Sequence, residues 1–216
     1  MRAREHFDLE LAELQTSLRN LGLAVAQAVA RTIEALSKAD RALAAQIMTD
    51  DTHINQAQYA IEAQAASLIA TQQPVAGDMR RLLSAITIAG ELERIADYAK
   101  RIAKLTLGED GAPPLQPSPE LLALADAAST MVGGALAAVA GSEPAAARRV
   151  GAADEHVDAL YRSTRKLLID QISAEPANAQ RTVDLIIVAH TFERMADRAT
   201  NIAERVIYSL SGEVVE

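Results

Sequence analysis

The sequence is short of the residues that characterise several classes of protein. It has no cysteine, which excludes disulfides and thiolate metal sites. It has no tryptophan, and aromatic residues make up only 3% of the chain. The apolar residues are mostly Ala and Leu, which favour helices, whereas strands are enriched in aromatic and β-branched residues. The composition therefore predicts an all-α fold.

Long apolar runs and an excess of positive charge are also missing. The most apolar stretches, residues 21–30 and 131–140, contain Gly or Gln and fall short of the roughly 20 residues that a membrane helix needs. The N-terminal sequence MRAREHFDLELAELQ lacks the apolar segment of a signal peptide. The net charge of -8 argues against binding to nucleic acid. We therefore expect a cytoplasmic helical protein.

Six long periodic segments are separated by short helix breakers. The first three are expected at about residues 8–37, 40–73 and 77–107, and the last ends near residue 209. The predicted helix starts and breaks lie at Asp40, at Ser118 with Pro119, at Ser142 with Pro144, and at Pro176. Only residues 108–119, GEDGAPPLQPSP, are dense in Pro and Gly. We predict a first domain at 1–107, a linker at 108–119 and a second domain at 120–216.

The two predicted domains repeat one pattern. Residues 91–103, ELERIADYAKRIA, are followed 100 positions later by TFERMADRATNIA at 191–203. A second match, at an offset of 103, pairs DTHIN at 51–55 with DEHVD at 154–158. Motifs and breakers occur in the same order in both halves, which indicates duplication. We therefore predict two tandem, pseudo-repeated three-helix bundles with antiparallel neighbouring helices.

Oxygen-bearing side chains lie beside the apolar stripe in each repeat. On the third and sixth helices, Glu93 and Glu193 follow a stripe residue by one position, which is about 100° around the helix. Asp97 and Asp197 come one turn later on the same flank. The second and fifth helices carry the same arrangement as Asp51 with Asn55 and as Asp154 with Asp158.

Two such helices side by side would bring four oxygen ligands together in each bundle. Like charges one turn apart are unfavourable unless a cation lies between them. All-oxygen ligand sets suit Mg, Mn, Ca or Fe. The alternative is a solvated acidic face in which Asp97 pairs with Arg101.

The two flanks are not equivalent beyond the shared motif. Asn201 and Glu204 follow Asp197, whereas Arg101 and Lys104 follow Asp97, so the second site is the more acidic. His190, three residues before Glu193, could add a ligand. Its repeat mate is a glycine, which favours a surface histidine instead.

An arginine follows the glutamate in both repeats. Arg94 and Arg194, next to a carboxylate–metal cluster, could receive an anion such as phosphate. A salt bridge at the edge of the apolar stripe is an equally good interpretation of both arginines.

The motifs together resemble a known family. Residues 72–105, QQPVAGDMRRLLSAITIAGELERIADYAKRIAKL, resemble the signature third helix of the PhoU family, the phosphate-specific transport system accessory proteins. Residues 193–206, ERMADRATNIAERV, resemble its second copy, and the motifs at 51–55 and 154–158 resemble those of the second helices. The resemblance runs from about residue 9 to residue 209. Ala96 and Ala196 stand where the family usually has Gly.

This resemblance implies a regulator rather than an enzyme. Such proteins link a phosphate ABC transporter, through its ATPase, to a sensor histidine kinase, and they repress the starvation response when phosphate is plentiful. They are often homodimers, they meet the membrane only through partners, and they carry clusters of Fe, Zn or other divalent metals such as Mn or Mg. Carried over by position, the metal ligands are Asp51, Asn55, Glu93 and Asp97 in the first bundle, and Asp154, Asp158, Glu193 and Asp197 in the second.

Two other functions remain open on the sequence. A di-iron-type bundle enzyme would need a pair of E-x-x-H motifs, and none occurs; Asp50 with His53 is the nearest pattern. A metal-free structural helical dimer would use the acidic flanks for solvation only.

Overall fold

Long helices account for nearly all of the chain. The structure is a computed structural model that describes residues 2–109, 111, 113–141 and 143–214, with backbone only at residues 2 and 3. Its described residues form six α-helices and no strands. The helices are α1 (Arg2–Lys38), α2 (Arg41–Gln72), α3 (Gly77–Leu107), α4 (Pro119–Gly141), α5 (Pro144–Ala174) and α6 (Ala179–Ser211), with a short 3₁₀ turn at Pro176–Asn178 before α6. The predicted all-α class is confirmed.

The helix starts follow the predicted capping chemistry where it can be checked. Asp40 caps α2, since its carboxylate accepts a hydrogen bond of 2.9 Å from the backbone N–H of Leu43. Ser118 Oγ accepts a hydrogen bond of 3.3 Å from the N–H of Leu121 at the start of α4. Pro144 is the first residue of α5. The predicted start at Ser142 lies outside the described residues.

Apolar stripes hold each bundle together. Helices α1, α2 and α3 pack on one another, as do α4, α5 and α6. Loops of only a few residues, such as 39–40 and 73–76, return the chain antiparallel within each bundle. The predicted stripes are buried throughout: Ile88, Leu92, Ile95, Ala99 and Ile102 on α3, and Val188, Phe192, Met195, Ala199 and Ile202 on α6.

The two bundles also pack on each other, and they do so through equivalent helices. Helix α3 contacts α6, and α1 contacts α4, so one hydrophobic core runs through both repeats. At the α1–α4 crossing, a Cβ on Gly22 would lie 2.6 Å from Leu136 Cδ2, so a larger residue there would require the leucine side chain to move. Between α3 and α6, Arg198 Nη1 lies 3.2 Å from Glu91 Oε2.

The linker between the repeats is fixed to both of them. The carbonyl oxygen of Glu109 accepts a hydrogen bond of 2.9 Å from Arg41 Nη2 on α2. The carbonyl of Pro113 accepts one from Arg181 on α6. Leu115 is buried in the common core. The linker therefore packs against both repeats.

Helix α4 corrects one expectation from the sequence. By length and composition it is apolar enough to cross a membrane, because Gly133 and Gly134 barely offset its Ala, Leu and Val residues. Only 39% of its most apolar window is buried, although the helix contacts α1, α5 and α6. Packing on three other helices accounts for the buried residues of α4, whereas the rest of its apolar window is not buried in the described chain.

The shared core gives the first testable prediction. Phe192 is fully buried at the centre of α6. We expect Phe192→Ala to lower the free energy of unfolding by about 3–5 kcal/mol, because it leaves a cavity that the packed helices cannot fill. Leu23→Ala is the control, since Leu23 is 62% exposed, and it should cost well under 1 kcal/mol by urea unfolding. Equal losses in the two variants would contradict this description of the core.

Candidate functional site

The structure groups the predicted ligands into two clusters, one in each repeat. Helix α2 packs against α3, and α5 packs against α6, so the helices that carry matching motifs are neighbours. The first cluster is defined here as Asp51, Asn55, Glu93 and Asp97. The second cluster is defined as Asp154, Asp158, Glu193 and Asp197.

Electrostatics show that carboxylates from different helices face each other within each cluster. Burial raises the pKa of Glu93, and the charges of Asp97 and Asp51 raise it further. Burial likewise raises the pKa of Glu193, with a further rise from Asp197. A raised carboxyl pKa means that the ionised form lacks stabilising partners, which a bound cation would supply.

In the second cluster the same interaction extends to both carboxylates of α5. Burial raises the pKa of Asp197, which the Arg194 guanidinium opposes and which Asp154 and Asp158 reinforce. Four carboxylates from two helices therefore share one region of the surface.

The first cluster is built around a buried carboxylate with its own counter-ion. Asp51 is only 4% exposed, and Lys100 Nζ donates to its Oδ2 at 2.7 Å. Asn55 Nδ2 lies 3.5 Å from the same oxygen. Asp51 Oδ1 and Asn55 Oδ1 are buried without a hydrogen-bond partner. Lys100 is therefore the strongest polar contact of this cluster.

In the second cluster, Asp154, Asp158 and Glu193 make longer contacts. Asp154 Oδ1 accepts a hydrogen bond of 3.3 Å from Thr200, the repeat mate of Lys100. Arg162 Nη1 lies 3.4 Å from Asp158 Oδ2. Glu193 Oε2 lies 3.2 Å from His190 Nδ1, yet it makes no hydrogen bond. The histidine thus lies at the rim of the cluster, close to its glutamate.

The two repeated arginines have different surroundings. Arg94 is exposed. Arg194 Nη1 lies 2.8 Å from Asp197 Oδ2, and a hydrogen bond with Tyr98 of the first repeat, followed by the charge of Asp197, raises the pKa of Arg194. The predicted anion-binding role therefore faces competition from an internal ion pair at Arg194.

Several contacts of the clusters were not anticipated from the sequence. The contact of Lys100 with Asp51 was not predicted, although Lys100 follows Asp97 by three positions and so shares its flank. Glu62 on α2 also adds to the rise in the pKa of Glu93. Asn201, expected to extend the flank of Asp197, instead donates to Glu91 on α3 at 3.4 Å. The ion pair between Asp97 and Arg101, which belonged to the alternative of a solvated acidic face, does not occur among the described residues.

The donor chemistry of the clusters fits a hard or borderline cation, with a difference between repeats. Both clusters offer oxygen donors, some of them without hydrogen bonds, and carboxylates that destabilise one another. In the part of the chain that the structure describes, no three acidic or histidine side chains already enclose a metal position. A metal at the first cluster would have to displace Lys100 from the buried Asp51, whereas a metal at the second would compete with Arg194 for Asp197.

The architecture and the clusters define a class of protein: a tandem helical repeat with an acidic face on each copy. The PhoU domain is matched at residues 18–106 and again at 121–206, which is one match in each repeat. The chain belongs to the PhoU family.

Relatives named as phosphate-specific transport system accessory protein PhoU homologs match nearly the whole chain. The relative from Streptococcus pneumoniae serotype 4 is 35% identical, over 99% of this chain and 99% of its own. The relative from Zymomonas mobilis is 33% identical, over 96% of this chain and 87% of its own. These names describe accessory proteins and mention no reaction.

Two crystal structures share the fold over the full length. One is the phosphate transport system regulatory protein PhoU from Streptococcus pneumoniae, with a TM-score of 0.87 and 29% identity over 97% of this chain and 99% of that one. The other is PhoU from Pseudomonas aeruginosa, with a TM-score of 0.88 and 30% identity over 96% of this chain and 100% of that one.

The raised pKa of Glu193 predicts how stability depends on pH. A folded-state pKa above the ordinary value of 4.5 means that ionisation weakens folding as the pH rises from 4.5 through the folded pKa. In chelated buffer, Glu193→Gln should therefore unfold at a higher temperature than the wild type at pH 7.5, and the difference should shrink towards pH 4. Glu155→Gln, on the exposed side of α5, is the control. A wild type at least as stable as Glu193→Gln at pH 7.5 would argue against this prediction.

Proposed function

We propose that the protein is a non-enzymatic regulator of phosphate transport and of the phosphate-starvation response. The observation that carries this proposal is the full-length match to relatives named as phosphate-specific transport system accessory proteins. The TM-scores of 0.87 and 0.88 to two PhoU structures support it, because the shared fold includes both repeats. The protein acts when phosphate is plentiful and represses the response.

Its partners, in this proposal, are the ATPase of a phosphate ABC transporter and a sensor histidine kinase. The protein works in the cytoplasm as a homodimer and meets the membrane only through these partners. The names of the relatives and of the matching structure, which describe accessory and regulatory proteins, support an adaptor rather than a catalyst.

We also propose that the second cluster holds a metal ion. Asp154, Asp158, Glu193 and Asp197 would be its ligands, because neighbouring carboxylates help to raise the pKa values of Glu193 and Asp197, and Glu193 has an oxygen without a hydrogen bond. A bound cation would neutralise the repulsion between α5 and α6. The chain's own residues set the site: the apolar stripe on α6 fixes the helix, and Arg194 orients Asp197.

Deletion of the gene should release the starvation response. In cells with abundant phosphate, we expect a starvation-responsive promoter fused to a reporter to rise in the deletion strain and to fall again when the wild-type gene is restored. The physical reason is the loss of the adaptor between transporter and kinase. A reporter that stays low in the deletion strain at high phosphate would rule out the repressor role.

Metal content tests the second cluster separately. Glu193→Ala/Asp197→Ala should lose most of the manganese, iron or zinc that the wild type retains after reconstitution and desalting, measured by elemental analysis. Glu155→Ala/Asp170→Ala is a matched control, because it removes two exposed carboxylates from the same repeat. Equal metal content in the two double variants would exclude these ligands.

A further inference from the structure

The first cluster contains a positive charge where a metal ion would bind. Lys100 Nζ lies 2.7 Å from Oδ2 of Asp51, which is 4% exposed. The charges of Asp97 and Glu93 also act on Lys100, since both help to raise its pKa after the hydrogen bond to Asp51. The ammonium therefore contacts Asp51 and is close enough to Asp97 and Glu93 to be stabilised by their charges.

We propose that Lys100 serves as the resident cation of the first cluster, so that this chain carries its metal in the second repeat alone. This inference rests on the metal site proposed above. A buried carboxylate needs a counter-ion, and a metal at Asp51 would have to share its oxygens with an ammonium that already neutralises them.

The second repeat has no lysine at this position. Its equivalent residue is Thr200, a neutral hydroxyl at 3.3 Å from Asp154 Oδ1. Two arginines contact other members of the cluster, Arg194 at 2.8 Å from Asp197 Oδ2 and Arg162 at 3.4 Å from Asp158 Oδ2, and neither pairs with Asp154, the equivalent of Asp51. The equivalent position thus offers another oxygen and leaves room for a cation.

The difference extends along the same flank of the two helices. Positions 100, 101 and 104 are Lys, Arg and Lys, whereas positions 200, 201 and 204 are Thr, Asn and Glu. These three positions therefore carry three positive charges in the first repeat and one negative charge in the second. Since metal affinity rises with the negative charge of a site, the difference at position 100, where the side chain contacts the cluster in both repeats, favours metal binding to the second cluster.

Two buried oxygens of the first cluster indicate what would follow if Lys100 were removed. Asp51 Oδ1 makes no hydrogen bond, and neither does the neighbouring Asn55 Oδ1. Without Lys100, both oxygens of Asp51 would lack a charged partner. A metal ion is the simplest species that could satisfy them together with Glu93 and Asp97.

Exchange of the two equivalent residues tests the proposal. Wild type, Lys100→Thr, Thr200→Lys and the double exchange are incubated with Mn²⁺, desalted, and analysed for manganese per chain. We expect Lys100→Thr to hold about twice the manganese of the wild type, and Thr200→Lys to hold little. The double exchange should return to the wild-type amount, held by the first cluster. Lys104→Thr, the same change one turn further along α3 at an exposed position, should have no effect.

Thermal unfolding provides a readout that does not depend on metal counting. In chelator, Lys100→Thr should unfold at a lower temperature than the wild type, because Asp51 loses its counter-ion. Added Mn²⁺ should raise its unfolding temperature by more than it raises that of the wild type. Adding Glu93→Ala/Asp97→Ala to Lys100→Thr should abolish both the extra manganese and the extra rise in unfolding temperature.

The outcomes separate this inference from the proposed metal site. A wild type with manganese in both clusters, unaffected by Lys100→Thr, would overturn the role of Lys100 and leave the metal proposal standing. A wild type without metal that gains it in Lys100→Thr would support Lys100 and refute the metal site of the second cluster. No metal in any variant would overturn both.

Discussion

Burial of the apolar stripes on α3 and α6 is the constraint on which the rest of the structure depends. These stripes pack inside their own bundles and also against each other, so neither helix can turn about its axis without exposing part of the common core. With the helices fixed, Glu93 and Glu193 are fixed on the flanks, where α2 and α5 bring their own acidic residues. The packing therefore holds like charges together, and their repulsion requires a positive counter-charge.

The two repeats meet that requirement in different ways. The first uses Lys100, a side chain of α3 that, unlike a metal ion, cannot dissociate from the protein. The second has no lysine at that position and uses arginines instead: Arg162 pairs with Asp158, and Arg194 bonds Tyr98 as well as Asp197. The two repeats share the positions of the oxygen ligands but not of their counter-charges. The sequence motif alone therefore describes the ligands of a site and omits what competes for them.

Much of the architecture could be predicted from the sequence because it depends on local patterns. The period of apolar residues identified the helices, and Asp40 and Ser118 act as caps through short-range hydrogen bonds. The length of the apolar segment in α4 was not predicted, because Gly133 and Gly134 interrupt its run of apolar residues in the sequence. The contacts of Lys100 and Asn201 depend on side-chain conformation and on the packing between helices, which sequence spacing does not contain. The predicted domain boundaries and metal ligands stay predictions.

The ion pair between Glu91 and Arg198 occurs once, although equivalent helices meet across the interface between the repeats. The positions equivalent to this pair are Thr191, which is buried, and Tyr98, which bonds Arg194. The pseudo-twofold arrangement is thus electrostatically one-sided. Two copies of the first repeat would set Glu91 opposite a tyrosine, and two copies of the second would set Arg198 opposite a threonine. Each repeat therefore supplies one half of a charge pair that two copies of the same repeat could not form.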